Sequence, residues 1–170
     1  MKVMGIAGYS GSGKTTLIEK VVPILVGEGV RVSLIKHAHH EFDMDQPGKD
    51  SYRHRHAGCT EVLVSSSRRW ALVHELRGTP EATLDEQLKR LSHCDLVLVE
   101  GYKGAPIPKL EVHRRDSAAP LLYPDDPHVV AVATDEPLDT SLPQLGLDAP
   151  EAVARFIVKH LGLDRARLVR

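Results

Sequence analysis

Residues 5–20 read GIAGYSGSGKTTLIEK, and within them Gly8-Tyr9-Ser10-Gly11-Ser12-Gly13-Lys14-Thr15 follows the pattern G-x-x-x-x-G-K-S/T. Glycine gives up more backbone freedom on folding than other residues, so such a cluster marks a place where only glycine fits. The apolar run KVMGIA (2–7) precedes it and reads as a buried strand. KTTLIEKVVPILVGEG (14–29) follows it and reads as a helix: Leu17, Val21 and Ile24 or Leu25 recur on one face, and Gly27 and Gly29 close it. Pro23 should bend that helix by removing a backbone bond. RVSLIK (31–36) is a second apolar strand. Strand, glycine turn, helix and strand make a βαβ unit, with a parallel strand pair and a right-handed crossover.

In that setting the turn has a defined chemistry. Gly11, Ser12 and Gly13 let consecutive N–H groups converge into an anion nest, and the helix beginning near Lys14 adds the positive end of its dipole. Lys14 supplies a full charge for the β and γ phosphates of a nucleoside triphosphate, Thr15 a hydroxyl for magnesium, and Thr16 reaches an α phosphate.

The rest of the chain continues the alternation of strand and helix. HAHHEFDMDQPGKD (37–50) is a polar loop, and a short helix over about 49–57 is stopped by Gly58. TEVLVSSSRRWALVHEL (60–76) reads as a hairpin around a Ser-Ser-Arg turn. Leu84, Leu88 and Leu91 line one face of the next helix, with Thr83 and Glu86 placed for a capping box. DLVLVE, PKLEVHR and HVVAVATD are three more strands. The last helix carries a stripe of Ala152, Val153, Phe156, Ile157, His160 and Leu161, with Asp148 and Glu151 placed to cap it. The fold expected is α/β: a three-layer sandwich on a mostly parallel sheet, one nucleotide-binding domain over residues 1–163, with a frayed charged tail at 164–170.

Composition narrows the functions. The 170 residues suffice for one real core, and 42% hydrophobic with 26% charged residues is ordinary for a soluble protein. A net charge of −1 gives no global field toward nucleic acid or a membrane surface, so neither is an expected partner. Cys59 and Cys94 form no C-x-x-C motif and read as reduced thiols. The N-terminal apolar run is too short for a signal peptide and no segment approaches transmembrane length, so the expected compartment is cytoplasmic.

A magnesium–triphosphate site needs acids beyond the loop. Glu100 ends the LVLVE strand, where ligands meet a parallel sheet, and Gly101 after it allows close backbone approach. Asp43, Asp45 and Asp50 crowd the loop after the second strand, and Asp50, at the start of the short helix, is the favoured second acid. For the base, N/T-K-x-D is absent, but Asp135 ends a late strand, and its carboxylate could accept the N1–H and exocyclic amine of guanine; adenine offers no such pair. His37, His39 and His40 match no zinc spacing and read as phosphate contacts or loop structure. Arg53 to His56 (RHRH) reads equally as a solvated or an anion-recognising face.

Taken together these segments resemble a family, the molybdopterin-guanine dinucleotide biosynthesis adaptor proteins, MobB. The likeness runs through GYSGSGKTTL, LIKHAHHEFDMDQPGKDSYRHRHAG, RRWALVHEL, CDLVLVEGYK, PKLEVHR and VVAVATD, nearly the whole chain. The histidine–aspartate segment ending in PGKDS is its most specific piece, and VEGYK the second. The resemblance implies a Rossmann-like P-loop domain with a small β-rich extension around 60–76 and 107–114, binding GTP with Mg2+ and forming a homodimer. It implies a role beside the molybdenum cofactor guanylyltransferase, with molybdopterin and apo-molybdoenzymes as further candidate partners. The implied activity is at most slow hydrolysis of GTP to GDP and phosphate, and not the nucleotidyl transfer itself. A slow rate also follows from the residues, since no water-positioning glutamine and no internal arginine finger is evident. Carried over by motif, phosphate contacts fall on Gly11, Ser12, Gly13, Lys14, Thr15 and Thr16, and magnesium on Thr15 and Glu100, with Asp50 as second acid; guanine falls to Asp135. Two other readings stand beside it: a small-molecule P-loop kinase, and a GTP-dependent metal-delivery protein using the histidine loop.

Overall fold

In the computed structural model, which describes residues 1–38 and 42–163, the elements run β1 (Lys2–Ala7), α1 (Lys14–Gly27), β2 (Val32–Lys36), α2 (Asp50–His56), β3 (Glu61–Ser65), β4 (Trp70–His74), α3 (Leu84–Arg90), β5 (Leu96–Glu100), β6 (Lys109–His113), β7 (Val129–Thr134), β8 (Gln144–Gly146) and α4 (Pro150–Leu161). Where the sequence reading places one domain over 1–163, the chain divides into two compact units. One comprises Met1–His37 and the chain from Leu84; the other is Ala38–Thr83. The expected frayed tail at 164–170 lies outside the described residues.

The first unit is a six-stranded sheet in the order β2-β5-β1-β6-β7-β8, every neighbouring pair parallel. Parallel strands covered on both faces read as continuous apolar runs rather than alternating ones, and β5 is buried along its whole length. Its residues divide by parity. Leu96 and Leu98 join Met4, Ile6, Leu110, Val112, Ala131 and Ala133 on one face, beneath α1 and α4. Val97 and Val99 join Ile35, Leu84 and Cys94 on the other, with Leu88 and Leu91 packed against them. The helix–sheet–helix layering expected from the sequence is therefore built within this unit.

In helix α1, which includes Pro23, Leu25 is the core member of the Ile24 or Leu25 alternative and Ile24 is half-buried. Several other local readings are revised. In α4 the buried stripe is Val153, Ala154, Ile157 and Leu161, whereas His160 is exposed. Asp148 does not cap α4: Ala149 holds the N-cap position without a side-chain bond, and Pro150 opens the helix. Residues 109–113 belong to the main sheet, where β6 lies between β1 and β7, and not to a β-rich extension. Strand β8 was absent from the sequence reading, because three residues without an apolar run carry no periodic signal.

The second unit holds α2 and the antiparallel β3–β4 pair, in register from Glu61↔His74 to Ser65↔Trp70. Its centre is ionic. Arg55, only 8% exposed, reaches Asp43 at 2.8 Å, Asp45 at 3.1 Å and Glu75 at 2.5 Å. These partners hold the Arg55 guanidinium above its ordinary pKa, Asp43 contributing most, then Glu75.

Candidate functional site

The glycine loop spans the gap between β1 and α1, with Ser12 N–H donating to Tyr9 O at 3.2 Å. Two of its glycines are forced. Gly8 has φ +145°, and a Cβ there would stand 2.5 Å from Val112 O and 2.7 Å from Ser12 Oγ. Gly13 has φ +96°, and a Cβ would meet the Arg114 guanidinium at 3.0 Å. Helix α1 starts with no side-chain cap and no acid in its first turn. Its first backbone bond is Leu17 N–H to Gly13 O, so the N–H groups of Lys14, Thr15 and Thr16 precede the ladder and point out of the helix end. Ser12 Oγ is buried without a hydrogen-bond partner among the described residues. Such a cradle of donors suits an anion, and a phosphate chain fits it.

Around the cradle, parallel register brings strand ends together. Glu100 is paired with Ile6 on one side and Lys36 on the other. The Thr15 hydroxyl donates to Glu100 Oε1 at 3.0 Å, while Lys36 Nζ stands 3.5 Å from Oε2. This pair was read from sequence as the magnesium site, and two hard oxygen donors side by side suit that ion. Lys14 Nζ donates to Tyr9 O at 2.8 Å. Burial lowers its pKa, opposed by the Glu100 charge and assisted by Lys103 and Lys36. Lys103 in turn lies 3.7 Å over the Tyr9 ring. A concentration of cations around one acid is what a triphosphate would neutralise.

On the other side of the loop an open cleft of about 620 Å3 is lined by Lys20, Arg114, Asp135, Gln144 and the Leu147–Asp148 turn, among others. Asp135 is exposed, and one oxygen accepts the Arg115 N–H at 2.8 Å. That bond, with Arg114 and Arg115 nearby, holds its carboxyl below the usual range, so it is an ionised acceptor facing the cleft. Each carboxylate oxygen accepts two bonds, which leaves capacity for a donor pair such as the guanine edge.

Arg114 is the residue the sequence reading missed. Its Nε donates to Ser12 O at 3.3 Å, so an arginine does stand at the loop where none was evident from the sequence. The signal was present in PKLEVHR, but only the β1–β6 pairing brings its end to the glycines. Asp50 belongs to the second unit, where its exposed carboxylate meets Arg53 at 3.8 Å. Asp43 and Asp45 are engaged by Arg55, so RHRH contributes a structural cation at Arg55 rather than a free anion-binding face. His37 stacks on Tyr102 with ring centroids 4.5 Å apart; His39 and His40 lie outside the described residues.

Comparison with known proteins follows the same lines. The family model described as molybdopterin guanine dinucleotide synthesis protein B matches residues 3–135. The molybdopterin-guanine dinucleotide biosynthesis adapter protein of Haemophilus influenzae is 44% identical over 162 residues, covering 94% of this chain and 89% of that protein. That of Escherichia coli is 42% identical over 163 residues, covering 94% and 93%. The crystal structure of molybdopterin-guanine biosynthesis protein B superposes with a TM-score of 0.74 at 28% identity, over 94% of this chain and 99% of that one.

Proposed function

Because the chain belongs to the molybdopterin guanine dinucleotide synthesis protein B family, we propose that it is a GTP-binding adaptor acting beside the enzyme that transfers GMP to molybdopterin. Its place is molybdenum cofactor biosynthesis, and the relatives' name of adapter supports the accessory role. The observation that carries the nucleotide reading is the meeting of Lys14, Thr15 and Glu100 at the carboxyl ends of β1 and β5. Gly11 to Thr16 hold the phosphates. The Thr15 hydroxyl and Glu100 carboxylate hold Mg2+, which supplies charge neutralisation at the phosphates when bound.

Asp135 reads the base, since its fixed and ionised carboxylate borders the cleft beside the loop. Hydrolysis is slow: Arg114 bonds the loop at Ser12 O, the glycine loop itself contains no glutamine, and Gln144 of the cleft has its amide held by the Leu138 backbone. The exposed apolar side chains on one face of the hairpin, Leu63, Trp70 and Leu72, support a homodimer formed through that surface. No helix among the described residues is long and apolar enough to cross a membrane; with free Cys59 and Cys94 this supports a cytoplasmic site.

The test is equilibrium binding of GTP and ATP with Mg2+ to wild type, Lys14→Ala and Asp135→Asn. Lys14→Ala should lose at least about a hundredfold in affinity for both nucleotides, a charge-assisted phosphate contact of roughly 3 kcal/mol. Asp135→Asn should lower the GTP-over-ATP preference about tenfold or more. Full affinity in the first variant, or an unchanged ratio in the second, overturns the corresponding assignment.

A further inference from the structure

The strand order of the first unit gives a bound nucleotide its direction. Glu100, with the Thr15 hydroxyl on it, stands at the end of β5; the glycine loop follows β1, and Asp135 follows β7. One strand, β6, lies between β1 and β7. Neighbouring strands are about 4.8 Å apart, so the loop and the base acid stand roughly 10 Å from each other. In a nucleotide the α phosphate and the ribose join the outer phosphates to the base. With the outer phosphates at Glu100 and the base at Asp135, those two parts cross the end of β6.

Arg114 is the first residue beyond β6, and its guanidinium lies along the loop. Nε donates to Ser12 O at 3.3 Å. Gly13 has no side chain to hold the plane off: a Cβ there would stand 3.0 Å from Nε and 3.1 Å from Nη2. The Arg114 backbone is tied by Ser117 N–H, which donates to Arg114 O at 2.9 Å. A guanidinium carries five N–H donors, and among the described residues this one spends a single donor, at Nε. The acids beside it are taken by other groups. Glu136 faces Arg115 at 3.4 Å and His113 at 3.5 Å, and Asp135 accepts the Arg115 N–H. The four Nη hydrogens are therefore left to the cleft that Arg114 lines with Asp135. Lys14, by contrast, feels the charges of Glu100, Lys103 and Lys36. The two cations serve opposite ends of one phosphate chain.

We infer that Arg114 binds the α phosphate of the nucleotide through its Nη groups, a phosphate ligand that lies outside the glycine motif. The inference rests on the reading of the loop as a GTP site. A guanidinium offers parallel N–H bonds to two oxygens of one phosphate, so its fit is to a single phosphoryl group. Every guanosine phosphate carries an α phosphate, and the contact is therefore indifferent to the terminal one. Arg114 holds GDP as firmly as GTP and stands away from the bond that hydrolysis breaks. Discrimination between the two is left to Lys14, Thr15 and Glu100, and loss of the terminal phosphate does not loosen the hold at β6.

The experiment measures the affinities of guanosine, GMP, GDP and GTP, with Mg2+, for the full chain by competition against a fluorescent GDP analogue. Wild type is compared with Arg114→Ala, Arg114→Lys and Lys20→Ala. Arg114→Ala should weaken GMP, GDP and GTP by one common factor, about tenfold or more, and leave guanosine within about twofold. Arg114→Lys keeps the charge and should recover part of the loss for all three. Lys20 is an exposed cation lining the same cleft, and its removal should cost less than about threefold. In bound GDP, the α phosphorus resonance should shift between wild type and Arg114→Lys more than the β resonance does. A loss that grows with each added phosphate would mean that Arg114 only braces the loop, and overturns the contact. An equal loss of guanosine, an equal effect of Lys20→Ala, or a larger shift at the β phosphorus overturns it too. GDP and GTP bound by wild type and equally by Arg114→Ala overturn this inference alone; no nucleotide bound by wild type overturns the nucleotide reading as well.

Discussion

Strand β5, LVLVE, and strand β3, EVLVS, match in four of five residues by composition and end in opposite states. All five residues of β5 are buried, whereas in β3 Leu63 is 62% and Val64 50% exposed. The difference lies in neighbours. β5 is flanked by β2 and β1 and covered on both faces, while β3 has β4 as its one strand partner. Composition makes a strand; the number of sheet neighbours and covered faces decides whether its apolar side chains become core or surface. The first unit is accordingly held by hydrophobic layers, and the second by the Arg55 cluster and a hairpin whose apolar face is left to solvent or to a partner.

The sharpest way to break this comparison is to cut the same side chain from both strands. Leu98→Ala should cost about 2–5 kcal/mol of unfolding free energy, the range for emptying a fully buried leucine site. Leu63→Ala, measured at concentrations where the chain is monomeric, should stay within about 0.5 kcal/mol, as exposed substitutions do. Urea denaturation of both variants decides it. A similar loss in each would mean that Leu63 is covered, and that the two strands differ less than their surroundings indicate.

What was legible in the sequence follows the same division. The glycine loop, Lys14 and Thr15 were readable because their meaning is local: flanking strand and helix supply the context. Glu100 was readable because a fully apolar run ending in an acid marks a covered parallel strand. Arg114 was not, since its role depends on β6 pairing with β1 across a hundred residues of chain. The same non-locality led residues 107–114 to be read as part of an extension. The 120–126 segment had no local signature either: it is held from beneath by the buried Glu111, which accepts the Leu122 and Tyr123 N–H groups, and by Lys109 bonding Asp126. Asp43 and Asp45 were read only as acids crowding the loop, with Asp50 favoured for magnesium, because sequence could not show Arg55 turning between them.

A smaller effect tests the hairpin's exposed face. Trp70, the single tryptophan, is 65% exposed on β4. If the hairpin carries the homodimer contact, Trp70→Ser should weaken self-association about tenfold or more, as loss of a large aromatic anchor does. The monomer's unfolding should change little. Sedimentation equilibrium across a concentration series measures it, and an unchanged dimer constant would remove this face from the interface.

The smallest effect concerns acid, and it separates the two units by what holds them. Asp43 lies below its ordinary pKa of 3.8 chiefly through the Arg55 bond, and Asp45 chiefly through the Ser51 hydroxyl, against burial, with Arg55 assisting. A carboxyl whose pKa is depressed by folding takes up its proton first in the unfolded chain. Its stabilising contribution is therefore complete above 3.8 and is lost as the pH falls through the lower, folded value. The apolar layers around β5 have no such dependence of their own. In an NMR titration, the Arg55 Nε–H signal and the β3–β4 amides should lose their native shifts as the pH drops below that range, before the β5 amides do. Asp45→Asn should bring the change in the second unit to higher pH and leave β5 where it was. Simultaneous loss of both sets of signals would mean that the ionic cluster does not set the second unit's stability, and that the contrast between LVLVE and EVLVS ends at exposure.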